Sequence, residues 1–229
     1  MTATETITPP TLPAGCNDPA VALAWEKALA LLDGARGSHD WDHTLRVLRL
    51  CEHMGPQEGA DMLVLRIAAL LHDIGRSRQD AANGALCHGQ EGAAMAEPIL
   101  AGMALDACRK ANVLHSIRAH RFRGGCPPQT VEARVLFDAD KLDAIGAVGV
   151  ARAYLFAGEV GARLHNPNHD ISGTKAYSSE DTGYREYKVK LCKIRDRVLT
   201  ETGKQLAQAR HLFMEQFFER FIAETEGEK

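Results

Sequence analysis

The segment 61–74, DMLVLRIAALLHDI, constrains this chain more than any other stretch. Apart from Arg66 it is apolar on every side of a helix, and a helix apolar all round belongs inside a core. It closes on His72-Asp73, so an imidazole and a carboxylate arrive at the edge of that core. Burying such groups is costly unless they are partnered. A metal cation satisfies both at once; a histidine capping the helix beside a solvated aspartate is the other reading. The dipeptide alone decides nothing, because His-Asp recurs at 39–40 and 169–170.

Helices are expected to surround this segment. Asp18-Pro19 pairs an N-cap side chain with proline at the first helical position. Val21, Trp25, Ala28, Leu29 and Leu32 then follow at three- and four-residue steps. A second helix is expected from near Ser38 to Gly55-Pro56, with Trp41, Leu45, Leu48 and Cys51 on one side. The residues 76–87 read as a polar loop, and the segments 88–102, 105–120 and 129–157 as helices. Val131–Phe137 passes for a strand on residue type, but it has no strand neighbours to pair with. The stretch 158–183 is long, polar and rich in Gly, Asn and Ser, a loop or lid candidate. The tail 184–229 reads as two helices around Gly203, packed on the core. Phe213, Phe217, Phe218 and Phe221 are read first as packing, second as a homodimer interface and third as a ligand box. The expected fold class is all-α: a core over 18–157, preceded by a loose leader over 1–17.

Composition narrows the function classes. With 229 residues, 45% apolar and 25% charged, the chain can bury a core of ordinary composition. It has no run of about 18 apolar residues, so no membrane-spanning helix is expected. Its start, MTATETITPPTLPAG, has neither a basic region nor an apolar one, which points to the cytoplasm rather than to export. Six cysteines without a CxxC pair read as reduced thiols. A net charge of −3 argues against nucleic acid as the partner. Of the ten histidines, seven fall between residues 39 and 120, a gathering that suits a transition metal. His43 follows His39 by one helical turn. Asp140 lies in FDADKLDAIG with Asp138 and Asp143, carboxylates that call for solvent or a cation.

Taken in order, WDHTLRV (41–47), AALLHDIGR (68–76), HGQEGA (88–93), IRAHRF (117–122) and FDADKLDAIGAVGVAR (137–152) resemble the HD superfamily of metal-dependent phosphohydrolases. The closest resemblance is to the bacterial branch of small stand-alone HD hydrolases, some of which act on nucleotides. It covers residues 38–152 and continues more weakly through ETGKQLAQARHLFMEQFFERF. The resemblance implies an HD-domain helical bundle with His43 as the first metal ligand, His72 and Asp73 as the middle pair, and Asp140 as the last. Such donors suit Mn, Fe, Co, Ni or Zn, with Mg also compatible.

Several HD enzymes hold two ions, which makes His88 and His120 candidates for a second one. His115 competes with them from the same region, and His39 is a near neighbour. Arg76, Arg118 and Lys141 are candidates for holding phosphate, with Arg121 and Arg123 behind them. Members of that family often carry an acidic residue where this chain has Arg76, which leaves the general acid and base unassigned. Asp143 is either a catalytic helper or a structural bridge. The implied activity is hydrolysis of a phosphate ester or anhydride by a metal-activated water, on a nucleotide or a related small phosphorylated molecule. Two alternatives use the same frame: a di-iron oxygenase, and a regulatory nucleotide-binding module with a disabled site.

Overall fold

A computed structural model describes residues 17–32, 41–82, 84–121 and 125–228. Its helices run in the order α1 (Pro19–Leu32), α2 (Trp41–Glu58), α3 (Met62–Leu71), α4 (Arg76–Ala81), α5 (His88–Ala101) and α6 (Ala107–Ala119). They continue as α7 (Val131–Leu142), α8 (Gly146–Glu159), α9 (Gly183–Val189) and α10 (Glu201–Thr225). The described residues contain no strand, and Val131–Phe137 is helical. The class is all-α.

The apolar segment takes the central place. Asp61 caps α3 by accepting from the Leu63 and Val64 amides at 3.0 and 3.4 Å. Val64, Leu65 and Ile67 through Leu71 are fully buried, and α1, α2, α6 and α7 all pack against the helix. Arg66 escapes the core by pairing with Glu52 of α2 at 2.6 and 3.0 Å.

Several boundaries differ from those expected. The segment 76–87 is not all loop, since α4 occupies its first half; none of that helix's residues is buried, so no apolar stripe announces it. α2 continues to Glu58, past Gly55 and Pro56, because a proline in the last turn forfeits one hydrogen bond without ending the helix. The expected helix over 129–157 is two helices. Between them the chain turns at Gly146, whose φ of 77° favours glycine.

In the tail, Gly203 does not separate two helices. The break lies over 190–200, and Gly203 sits in the first turn of α10. A Cβ at Gly203 would meet Thr200 Oγ1 at 2.6 Å and Asp138 Oδ2 at 2.7 Å, so glycine is there for close approach. Asp138 makes that approach worthwhile: it accepts from the Thr200 amide and hydroxyl at 2.7 and 2.6 Å and from the Leu199 amide at 2.9 Å. It thereby docks the start of α10 onto α7. Of the tail aromatics, Phe218 is buried and Phe213 is 43% exposed, so packing describes the first and not the second.

Candidate metal centre

Two glycine-permitted contacts bring the cluster together. Past α3 the chain turns through His72–Gly75, and a Cβ on Gly75 would collide with both the Gly92 amide nitrogen and the His88 carbonyl oxygen. Only glycine lets α5 approach this turn so closely, and α5 begins with His88. Gly89 in turn lies against the Ile117 and Arg118 carbonyls of α6, the helix whose C-cap is His120.

His72 caps α3, and its Nδ1–H donates to the Ala69 carbonyl at 2.7 Å. His120 repeats the device on α6, donating to the Ile117 carbonyl at 2.6 Å. His88 Nδ1 donates to Gln79 Oε1 at 2.8 Å, and His43 Nδ1 to Asp143 Oδ2 at 2.8 Å. Each acceptor holds its imidazole in the Nδ1–H tautomer, which leaves every Nε2 turned inward. His43 and His72 meet there at 3.3 Å, and His88 and His120 at 3.1 Å.

Asp73 stands between the two pairs. Its Oδ2 lies 3.7 Å from His43 Nε2 and 3.8 Å from His72 Nε2. Its Oδ1 lies 3.5 Å from both His88 Nε2 and His120 Nε2. Asp140 Oδ1 approaches His43 Nε2 at 3.4 Å from the more open side. His43, His72 and Asp73 form one potential cation-binding group, and Asp73, His88 and His120 a second.

The electrostatics agree with the geometry. Burial works to lower the His43 pKa, but bonds to Asp140 and Asp143 carry it up to about 9. Burial holds His72 down at about 4 and His88 at about 2. Against its burial, Asp140 is held well below the carboxylate range by Lys141 and His43. Two imidazole Nε2 atoms at this distance need a proton or a metal cation between them. The raised His43 pKa shows how strongly the surrounding carboxylates favour positive charge there, and imidazole with carboxylate is a donor set for divalent metals. The residues therefore fit an ion on each side of Asp73.

The other expected residues distribute as follows. Arg76 clasps Asp73, with Nη2 at 3.1 and 3.2 Å from its two oxygens. Lys141 donates to Asp140 at 2.7 Å and to the His120 carbonyl at 2.8 Å, and lies over the Phe137 ring. Asp143 is not at the reacting face. It sits behind His43 and takes bonds from Arg46 and Arg152 as well, and His43 first, then the two arginines, pull its pKa down against its burial. His115 is elsewhere, accepting from the Gln129 amide at 3.0 Å. His39 and Arg123 lie outside the described residues.

The centre opens into a cavity of about 890 Å³, which Arg76, His88, Asp140 and Lys141 line at one end. Arg118 does not line it, whereas Arg121 does. The tail contributes Arg185, Lys190, Lys193 and Arg197 to the same lining. The net charge of −3 gives no hint of this basic lining. The signal was present in KVKLCKIRDR (188–197), whose five cations are masked by a negative total.

With these helices and this cluster the chain belongs to the HD domain family, whose pattern matches residues 40–145. That membership supports a metal-dependent phosphohydrolase in general terms. YpgQ of Bacillus subtilis is 31% identical over 203 residues, which cover 86% of this chain and 90% of YpgQ. The YpgQ crystal structure superposes with a TM-score of 0.70 at 28% identity, over 92% of this chain and 97% of that one. A YpgQ structure in complex with ADP gives 0.67 at 28% identity over 88% and 93%. An HD-superfamily hydrolase from Bacillus thuringiensis gives 0.70 at 27% identity over 90% and 96%. No helix among the described residues is long and apolar enough to cross a membrane.

Proposed function

We propose that this chain hydrolyses a phosphate ester or anhydride of a nucleotide or related small molecule. In this reading His43, His72, Asp73 and Asp140 hold one divalent ion, and Asp73, His88 and His120 hold a second. The observation that carries it is the convergence of four Nε2 atoms on the two oxygens of Asp73 at the end of a cation-lined cavity. When bound, such ions lower the pKa of water and polarise a phosphoryl oxygen.

The chain's own residues do the rest. Asp143, Gln79 and the Ala69 and Ile117 carbonyls hold the imidazoles in one tautomer and orientation. Arg121, Lys141, Lys193 and Arg197 supply positive charge along the cavity for phosphate oxygens. Arg76 spans both Asp73 oxygens and keeps that carboxylate oriented toward both pairs. This cation-rich wall favours a phosphorylated substrate over the oxygenase chemistry that the same donors could support. ADP in a structure of the similar YpgQ supports a nucleotide.

The test is phosphate release by the metal-exchanged protein from nucleotides and generic phosphodiesters, with His72→Ala and Asp73→Ala beside it. Release should require added ion and fall at least 100-fold in both variants. Equal release by all three proteins would remove the activity from this centre.

A further inference from the structure

The cavity has two aromatic rings in its lining that the phosphate chemistry leaves unused. Phe156 of α8 and Tyr177 of the 160–182 segment line it. Their rings stand edge to face, with centroids 5.9 Å apart at 79°. Phe156 is half-buried, whereas Tyr177 is 80% exposed.

An exposed tyrosine alone is ordinary surface. This one is held in place by strain. Its φ is 55°, in the left-handed region that bulky residues avoid. The conformation is enforced by neighbours: the Tyr177 amide donates to Asp181 Oδ2 at 2.8 Å. Asp181 is buried and takes Arg185 Nη1 on its other oxygen at 2.7 Å. Arg185 also donates to the Thr174 hydroxyl at 2.8 Å. A chain of bonds thus runs from the basic wall to the backbone of Tyr177, setting that backbone relative to the wall, while the edge contact with Phe156 orients the ring. Strain that the surroundings enforce at the mouth of a site points to a use for the residue presented there.

We propose that Tyr177, backed by Phe156, is the stacking platform for the base of a nucleotide whose phosphates lie along the basic wall toward Asp140. The inference rests on the phosphohydrolase reading and names the recognition element of the same site. The other lining side chains are cations, carboxylates, aliphatic groups and the His88 imidazole, which faces His120 in the cluster, so these two rings are the π surfaces left for a planar base in the described cavity. Recognition by a ring face reads the base through stacking area and not through its hydrogen-bonding edge.

The test uses the full chain loaded with manganese and the fluorescence of 2-aminopurine riboside 5′-diphosphate, which is quenched on stacking. Wild type and Tyr177→Phe should both quench the probe, and Tyr177→Ala should bind it on the order of 10-fold more weakly, the scale of one lost base–aromatic stack. The ratio of kcat/KM for adenosine triphosphate over inorganic tripolyphosphate, which has no base, should fall by a similar factor in Tyr177→Ala. Three results would overturn the platform: no quenching by wild type, quenching unchanged in Tyr177→Ala, or loss in Tyr177→Phe as complete as in Tyr177→Ala. Quenching without phosphate release from any compound would instead sink the hydrolase reading and leave the platform standing.

Discussion

At the residue scale, His72 and His120 each do two things with one ring. Nδ1 caps the end of its own helix, and Nε2 is thereby aimed into the cluster. The capping half of the alternative reading of His72-Asp73 thus holds, but its solvated aspartate does not, since Asp73 is buried. The same logic gives Asp143 its place: an acceptor on His43 Nδ1 that sets which nitrogen faces inward. Asp143→Asn keeps the shape and loses the charge that balances Arg46 and Arg152. It should weaken metal binding about 10- to 100-fold, read by chelator competition, with circular dichroism confirming an intact fold. Unchanged affinity would make Asp143 a bystander. That His43, His72, Asp73 and Asp140 come together was legible in the sequence because each sits in a local motif. The role of Asp143 was not, since its partner lies 100 positions away and no local pattern encodes that pairing.

At the element scale, what matters is how closely helices approach the turn after α3. Gly75→Ala places a methyl against backbone atoms of α5, which cannot rotate away. Overpacking of this kind costs about 1–3 kcal/mol, and a shifted α5 carries His88 away from His120. The variant should melt lower and bind fewer equivalents of manganese by metal analysis than wild type. The cap of α3 gives a separate, pH-dependent prediction. Burial acts to raise the Asp61 pKa, but Arg109 and the Leu63 and Val64 amides bring it below its ordinary 3.8. A carboxyl depressed on folding stabilises above its unfolded pKa, and that stability is lost as pH falls through the folded value. Asp61→Ala should cost about 1 kcal/mol at neutral pH, with the difference from wild type in urea titrations closing below pH 3.8. A constant difference down to the acid transition would contradict the cap. The long apolar helix was legible from its own residues. α4 was not, because a short helix with no buried face has no hydrophobic period to read. Gly203 misled for a related reason: glycine marks a helix end and a close packing contact alike, and only the position of Asp138 tells which.

At the scale of the whole molecule, the site joins two parts of the chain. The clustered imidazoles and carboxylates come from α2, α5, α7 and the residues just after α3 and α6, while the tail's basic lining and the two aromatic rings come from α8 onward. The first part was legible because its histidines cluster in sequence. The second was hidden by a net charge of −3, which averages away a local basic run that only folding concentrates. Ions bound by the folded form alone add to its stability. Chelation should therefore lower the melting temperature, and restored manganese should recover it; a melting curve indifferent to both would argue against a built-in centre. The most direct measurement is the anomalous diffraction of crystals soaked in manganese. The account predicts a peak on each side of Asp73, one facing His43 and His72 and the other facing His88 and His120. A map with no manganese beside Asp73 at saturating concentration would contradict it.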